Sequence, residues 1–115
     1  EICVEFSLYF IQRYTKASFT DGLPSGGGVV SRLISSGQGF TDGGHTPKVY
    51  AIFSQEKPGK DGHTGVVLGI DEANDKIIIG EAGCPGVPAG ANEYSLSTWS
   101  AYPYSYAYTD GILGK

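Results

Sequence analysis

With 115 residues, 40% hydrophobic and 17% charged, the chain has the balance of a single folded domain that buries one core. A net charge of −4 with no cluster of Lys or Arg argues against a nucleic-acid partner. No apolar run approaches the roughly 20 residues of a membrane helix, and two cysteines allow at most one disulfide.

The composition contains no Met, and no signal-peptide pattern opens it. Because Cys3, a candidate functional residue, stands almost at the first position, residues 1–115 are expected to be one domain taken from a longer protein. The first predicted element is a largely buried helix over 2–16, where Cys3, Phe6, Phe10 and Tyr14 recur at helical spacing. A loop is expected over 20–28 and a short helix over 29–37, stopped by Gly37. After a second loop at 38–47 the period changes. Residues 48–54, "KVYAIFS", read as a strand. Residues 63–70 and 75–82 read as two strands of a hairpin turning through "DEAN". A Pro/Gly loop follows at 83–92, then short strands at 93–99 and 102–109. Helices first and strands after predict an α+β fold with an antiparallel sheet.

The two histidines both stand in "GHT" but in different surroundings. His45 lies in a polar Gly-rich loop and reads as a solvated side chain. His63 opens a strand whose face it shares with Gly65, Val67 and Gly69; glycines there mark a close approach. If Ile70 pairs with Asn74, His63 lies opposite Glu81. A slip of two residues sets Glu81 opposite Gly65 and keeps it on the His63 face, and only an odd slip separates the two. A carboxylate on one imidazole nitrogen fixes the tautomer and leaves the other as a base. Cys3, at the start of the first helix, stands where the helix dipole favours a thiolate. A thiol, an imidazole and a carboxylate in these positions follow the nucleophile, base and orienter pattern of acyl-transfer hydrolases. Trp99, Tyr102, Tyr104 and Tyr106 are aromatic candidates for a substrate groove, Trp99 and Tyr102 foremost; ordinary strand packing is the favoured reading for most of them.

The order "CVEF" (3–6), "KVYAIFS" (48–54), "GHTGVVLGI" (62–70) and "IIIGEAG" (77–83) resembles the CHAP domain family, cysteine- and histidine-dependent amidohydrolases and peptidases. The resemblance implies a papain-like fold and hydrolysis of an amide bond in bacterial peptidoglycan, by an amidase or an endopeptidase. It implies Cys3 as nucleophile, His63 as base and Glu81 as orienter. It departs at Ile2, where Gln is frequent, and at Gly83, where many members carry Asn. No cofactor and no metal set is expected. The expected partner is peptidoglycan, together with other domains of a parent protein, in an extracellular or cell-wall setting such as that of a phage lysin, a virion-associated enzyme or an autolysin. An NlpC-type peptidase and a non-catalytic wall-binding module are the alternatives. Cys84 is expected to be a packed residue and not a disulfide partner of Cys3.

On this reading His63→Ala abolishes hydrolysis of cell walls while His45→Ala keeps most of it. Comparable losses in two folded variants would refute the choice between the histidines.

Overall fold

The computed structural model describes residues 2–57, 59–83 and 89–114. In chain order the elements are α1 (Ile2–Tyr14), a 3₁₀ turn (Gly26–Gly28), α2 (Val29–Ser35), β1 (Thr41–Asp42), β2 (Ile52–Gln55), β3 (His63–Asp71), β4 (Lys76–Glu81), β5 (Gly90–Ser95), α3 (Leu96–Ala101), β6 (Ser105–Tyr108) and a 3₁₀ turn (Asp110–Ile112). The strands form one six-stranded sheet, ordered β1-β6-β2-β3-β4-β5, with every pairing antiparallel. The fold is α+β.

The apolar stripe of α1 explains its place. Cys3, Val4, Ser7, Phe10 and Ile11 are its buried residues, at helical spacing along one face. They join Val29, Val30 and Leu33 of α2 against Ile52, Val66 and Ala107 on one face of the sheet. The other face carries a second cluster, built from Phe53, Val67, Ile77, Ile79, Trp99 and Tyr106. The helix stops at Tyr14 because the Thr15 hydroxyl turns back to donate to the Ile11 carbonyl at 2.6 Å, and Thr15 bridges to Leu113.

Hydroxyl groups index α1 and α2 against the sheet. Thr64 Oγ1 donates to the Phe53 carbonyl at 2.7 Å, so at 3.0 Å it accepts from Ser7 Oγ. Ser54 Oγ donates to the Gly26 carbonyl at 2.7 Å and accepts from the Val30 amide at 3.0 Å, which ties the glycine turn and the start of α2 to β2.

Three expectations are corrected in detail. Strand 48–54 is shorter than its pattern: residues 49 and 50 lie in a turn, Tyr50 takes a left-handed φ of 68°, and β2 begins at Ile52. Segment 93–99 is not one strand. β5 starts earlier, at Gly90, and ends at Ser95, whose side chain accepts from the Thr98 amide at 3.2 Å and caps α3. Segment 102–109 is strand only over Ser105–Tyr108.

The β3–β4 hairpin has neither register expected near its turn. Asp71 pairs with Lys76, Ile70 with Ile77 and Gly69 with Ile78, an odd displacement from both alternatives. A bulge at Leu68 then inserts one residue, and beyond it Val67 pairs with Ile79 and Val66 with Gly80. The bulge restores the parity that puts His63 and Glu81 on one face; continued to the strand end, the register sets Glu81 beside Gly65.

Gly26 packs directly under the start of β3. A Cβ there would lie 2.8 Å from the His63 backbone. Gly26→Ala is therefore expected to cost about 1–3 kcal/mol of stability through overpacking and to shift the His63 ring resonances. Gly28→Ala serves as control, since its Cβ would meet only the Pro24 side chain at 3.4 Å. Thermal melts and histidine NMR spectra of the two variants check this, and equal, small effects would contradict the close approach.

Candidate functional site

His63 is the first residue of β3, and Glu81 the last of β4. The bulged register brings them together: His63 Nε2 lies 2.7 Å from Glu81 Oε1. The ring is nearly buried and the carboxylate has 1% of its surface exposed. An ionised carboxylate accepts only, so the ring donates from Nε2 and carries its basic lone pair on Nδ1. Phe53 meets the imidazole edge-on at 5.6 Å between centroids. That ring covers the strand where Gly65 has no side chain; a Cβ on Gly65 would lie 2.8 Å from it. The bare strand face thus accommodates the aromatic residue that walls the histidine.

The second carboxylate oxygen is held as well. Glu81 Oε2 accepts from Asn92 Nδ2 at 3.0 Å and from the Tyr94 hydroxyl in a short hydrogen bond. Three donors on a buried carboxylate satisfy its charge without a lysine or arginine. Burial pushes the Glu81 carboxyl up, but the bonds from His63, Tyr94 and Asn92 together outweigh it and hold the group below its ordinary value. Burial first, and then the bond to Glu81, drive the Tyr94 phenol well above its own ordinary range. The carboxylate therefore stays an anion, and the phenol a donor, throughout the pH range in which imidazole titrates.

Cys3 lies in the first turn of α1 and is fully buried. Its position follows from Ser7, one helical turn farther along the same face and bonded to Thr64. Cys3 is thus about 6 Å back along the axis from Ser7, toward the end of the sheet where Ile2 lies against Gly83. It belongs to the cluster on the α1 face, whereas His63 lies with Phe53, Gly65 and Val67 on the opposite face. Phe6, between Cys3 and Ser7, packs beside Gly80 of β4, where a Cβ would lie 3.1 Å from its ring.

His45 is exposed and its Nδ1 lies 3.0 Å from the Tyr104 carbonyl. Trp99 is buried and belongs to the core cluster. Its ring stacks on Tyr104 at 4.2 Å and its Nε1–H donates to the Tyr106 hydroxyl at 2.9 Å, so neither its face nor its donor is presented to a ligand. Tyr106 is fully buried, and Tyr104 lies between Phe53 and Tyr102, its phenol pushed up to about 12 by burial, then by Tyr102 and Glu81. Tyr102 and Tyr104 are half-buried, and the Tyr102 hydroxyl lies 3.3 Å from the Glu56 carbonyl. Cys84 lies outside the described residues.

The residues that sequence reasoning missed are Asn92 and Tyr94. Both sit on β5, two apart and hence on one face, and Asn92 pairs with Ile79. The alternation in "ANEYS" was the available signal, obscured by starting the strand at residue 93. Asn92 supplies an amide to the carboxylate from the neighbouring strand, while Gly83 stands in the chain position where the resembling family often has Asn.

Comparisons of the chain with protein-family models, curated proteins and solved structures find no match.

The lowered Glu81 carboxyl predicts a pH dependence. The native group binds a proton less readily than the unfolded one, whose ordinary value is 4.5. Its contribution to stability is complete above that value and is lost as pH falls through the lower native one. The melting temperature of the wild type is expected to exceed that of Glu81→Gln near neutrality, with the gap closing in acid below about 4.5. Melts across pH check this; a gap that widens in acid would refute it.

Proposed function

We propose that the chain is a cysteine amidohydrolase of the CHAP type, papain-like in fold, that cuts an amide bond of bacterial peptidoglycan. The observation that carries the reading is the buried Glu81 carboxylate on His63 Nε2, which leaves Nδ1 as the basic atom at the start of β3. The Cys3 thiol passes its proton to His63 Nδ1, and the sulfur attacks the substrate carbonyl. Backbone N–H groups in the first turn of α1 hold the oxyanion. The imidazolium, its charge offset by Glu81, then protonates the leaving amine, and water attacks the thioester with His63 again as base. Because Cys3 has no exposed surface, groups around the first turn must move aside before a carbonyl reaches the sulfur.

An NlpC-type arrangement places a second histidine on the base. Here the partner of Nε2 is a carboxylate, and His45 is engaged with a backbone carbonyl instead. The proposed setting is extracellular, on the cell wall, with peptidoglycan as partner.

The test compares wild type, Cys3→Ala and Glu81→Gln on purified cell walls, by turbidity and by mass spectrometry of released fragments. Wild type is expected to clear the walls and release fragments with new amine termini. Cys3→Ala should release none, and Glu81→Gln should retain a reduced rate, since Gln still accepts from Nε2–H but carries no charge. Binding without clearing by folded wild type would identify a wall-binding module instead.

A further inference from the structure

A trough unrelated to the His63–Glu81 pair runs along the outer flank of α1. Its first half, a cavity of about 720 Å³, is walled by Phe6, Tyr9, Phe10, Arg13, Tyr14 and Leu68, with Tyr50 and Leu113 at its far end. Those two residues are shared with a second cavity of about 660 Å³, which continues past Lys48 to Ile70 and Glu72. The two halves form one elongated surface depression that starts at Phe6, one turn from Cys3, and leads away from it.

Three features of the trough point to its occupant. The first is the set of exposed phenols. Tyr9, Tyr14 and Tyr50 are between 43% and 61% exposed, and among the described residues none of their hydroxyls bonds to the protein. Exposed aromatic faces with unspent hydroxyls suit a ligand that stacks apolar C–H faces and offers hydroxyls and amides at its edges. The second is Tyr50 at the junction of the halves. A bulky residue with φ of 68° is a backbone outlier, and it is pinned by its amide on the Val67 carbonyl at 2.6 Å and by Thr109 Oγ1 on its own carbonyl at 2.9 Å. The strain is retained while the ring projects outward against Phe10. The third is charge. Arg13 and Lys48 are matched by Glu72 and Asp110, with Lys48 bound to Asp110 at 2.5 Å, so the trough is electrically balanced. That balance does not suit a polyanion. The trough also follows a helix and not a sheet edge, so an extended peptide would find no strand to pair with.

We infer that this trough holds an uncharged polymer of β-linked N-acetylated amino sugars, the glycan strand of the wall, alongside the catalytic end. The inference rests on the proposed wall substrate only for the source of the polymer. Tyr50 stacks a sugar ring where the two halves meet, Tyr9 and Tyr14 hold its neighbours, and the strand so held keeps its amide-linked branches near the first turn of α1.

The test measures binding, not turnover. Cys3→Ala protein is titrated calorimetrically with a β-1,4-linked N-acetylglucosamine hexamer, with peptidoglycan strands stripped of their peptides and their lactyl carboxylates capped as methylamides, and with free stem peptide. Both saccharides are expected to bind, and Tyr50→Ala and Tyr9→Ala each to weaken that binding about three- to ten-fold. Preference for the stripped strands supports wall glycan as the occupant, and preference for the hexamer would overturn it in favour of a chitin-type polymer. The Tyr9 variant guards against misfolding, since that side chain lies on an exposed helix face. No saccharide binding, binding unchanged in both variants, or stem peptide competing for the same tyrosines would overturn the inference. Saccharide binding by a protein that never cleaves walls would leave the trough standing and refute the hydrolase.

Discussion

A carboxylate almost wholly removed from water organises one end of this sheet. An isolated buried charge is prohibitively costly, so Glu81 dictates what surrounds it: an imidazole from β3 and an amide and a phenol from β5. These donors come from both flanking strands, so the pairing of three strands must be correct at once for the charge to be tolerated. A misregistered β4 would bury the same charge against the apolar underside of α1. The site therefore penalises alternative pairings of its own sheet, which is a selective role for a buried ion as well as a chemical one.

The bulge at Leu68 is the device that reconciles the hairpin with this demand. The turn through residues 72–75 sets an odd register, with Asp75 in the left-handed region, and a regular ladder from that turn would place His63 and Glu81 on opposite faces. One inserted residue exchanges the faces midway. Leu68 then packs toward α1 and Ile70 toward the other cluster, so neither core loses its apolar residue. Bulges near functional sites re-aim side chains, and here the re-aimed side chain is the histidine.

Much of this was legible in the chain. Period and composition indicated the order of helices and strands, and parity placed Glu81 with His63. What escaped was set by interactions distant in sequence. The bulge leaves no mark in "VVLGI", because Leu68 is apolar and belongs in a strand by composition. Residues 96–101 carry β-type residues such as Thr98 and Trp99, yet the Ser95 cap and the packing of Trp99 on Phe53 and Tyr104 fold them into a helix. The early start of β5, and with it the role of Asn92, depends on pairing with β4 and not on local preference. Tyr50 is opposed by its own propensity and held left-handed by bonds to Val67 and Thr109.

The relay from Ser7 through Thr64 to the Phe53 carbonyl has a mechanical meaning. Apolar packing between a helix and a sheet is non-directional, and it fixes the axial position of the helix less sharply than a polar contact does. A hydroxyl contact has a narrow optimum of length and angle and acts as a detent against sliding along the axis. Since α1 carries its cysteine one turn from the detent, axial placement of the sulfur is governed by two small polar side chains and its depth by the apolar ones. Substitutions that reshape the core can drift in volume while the detent holds, so tolerance along the interface is expected to be anisotropic: permissive across the helix, strict along it.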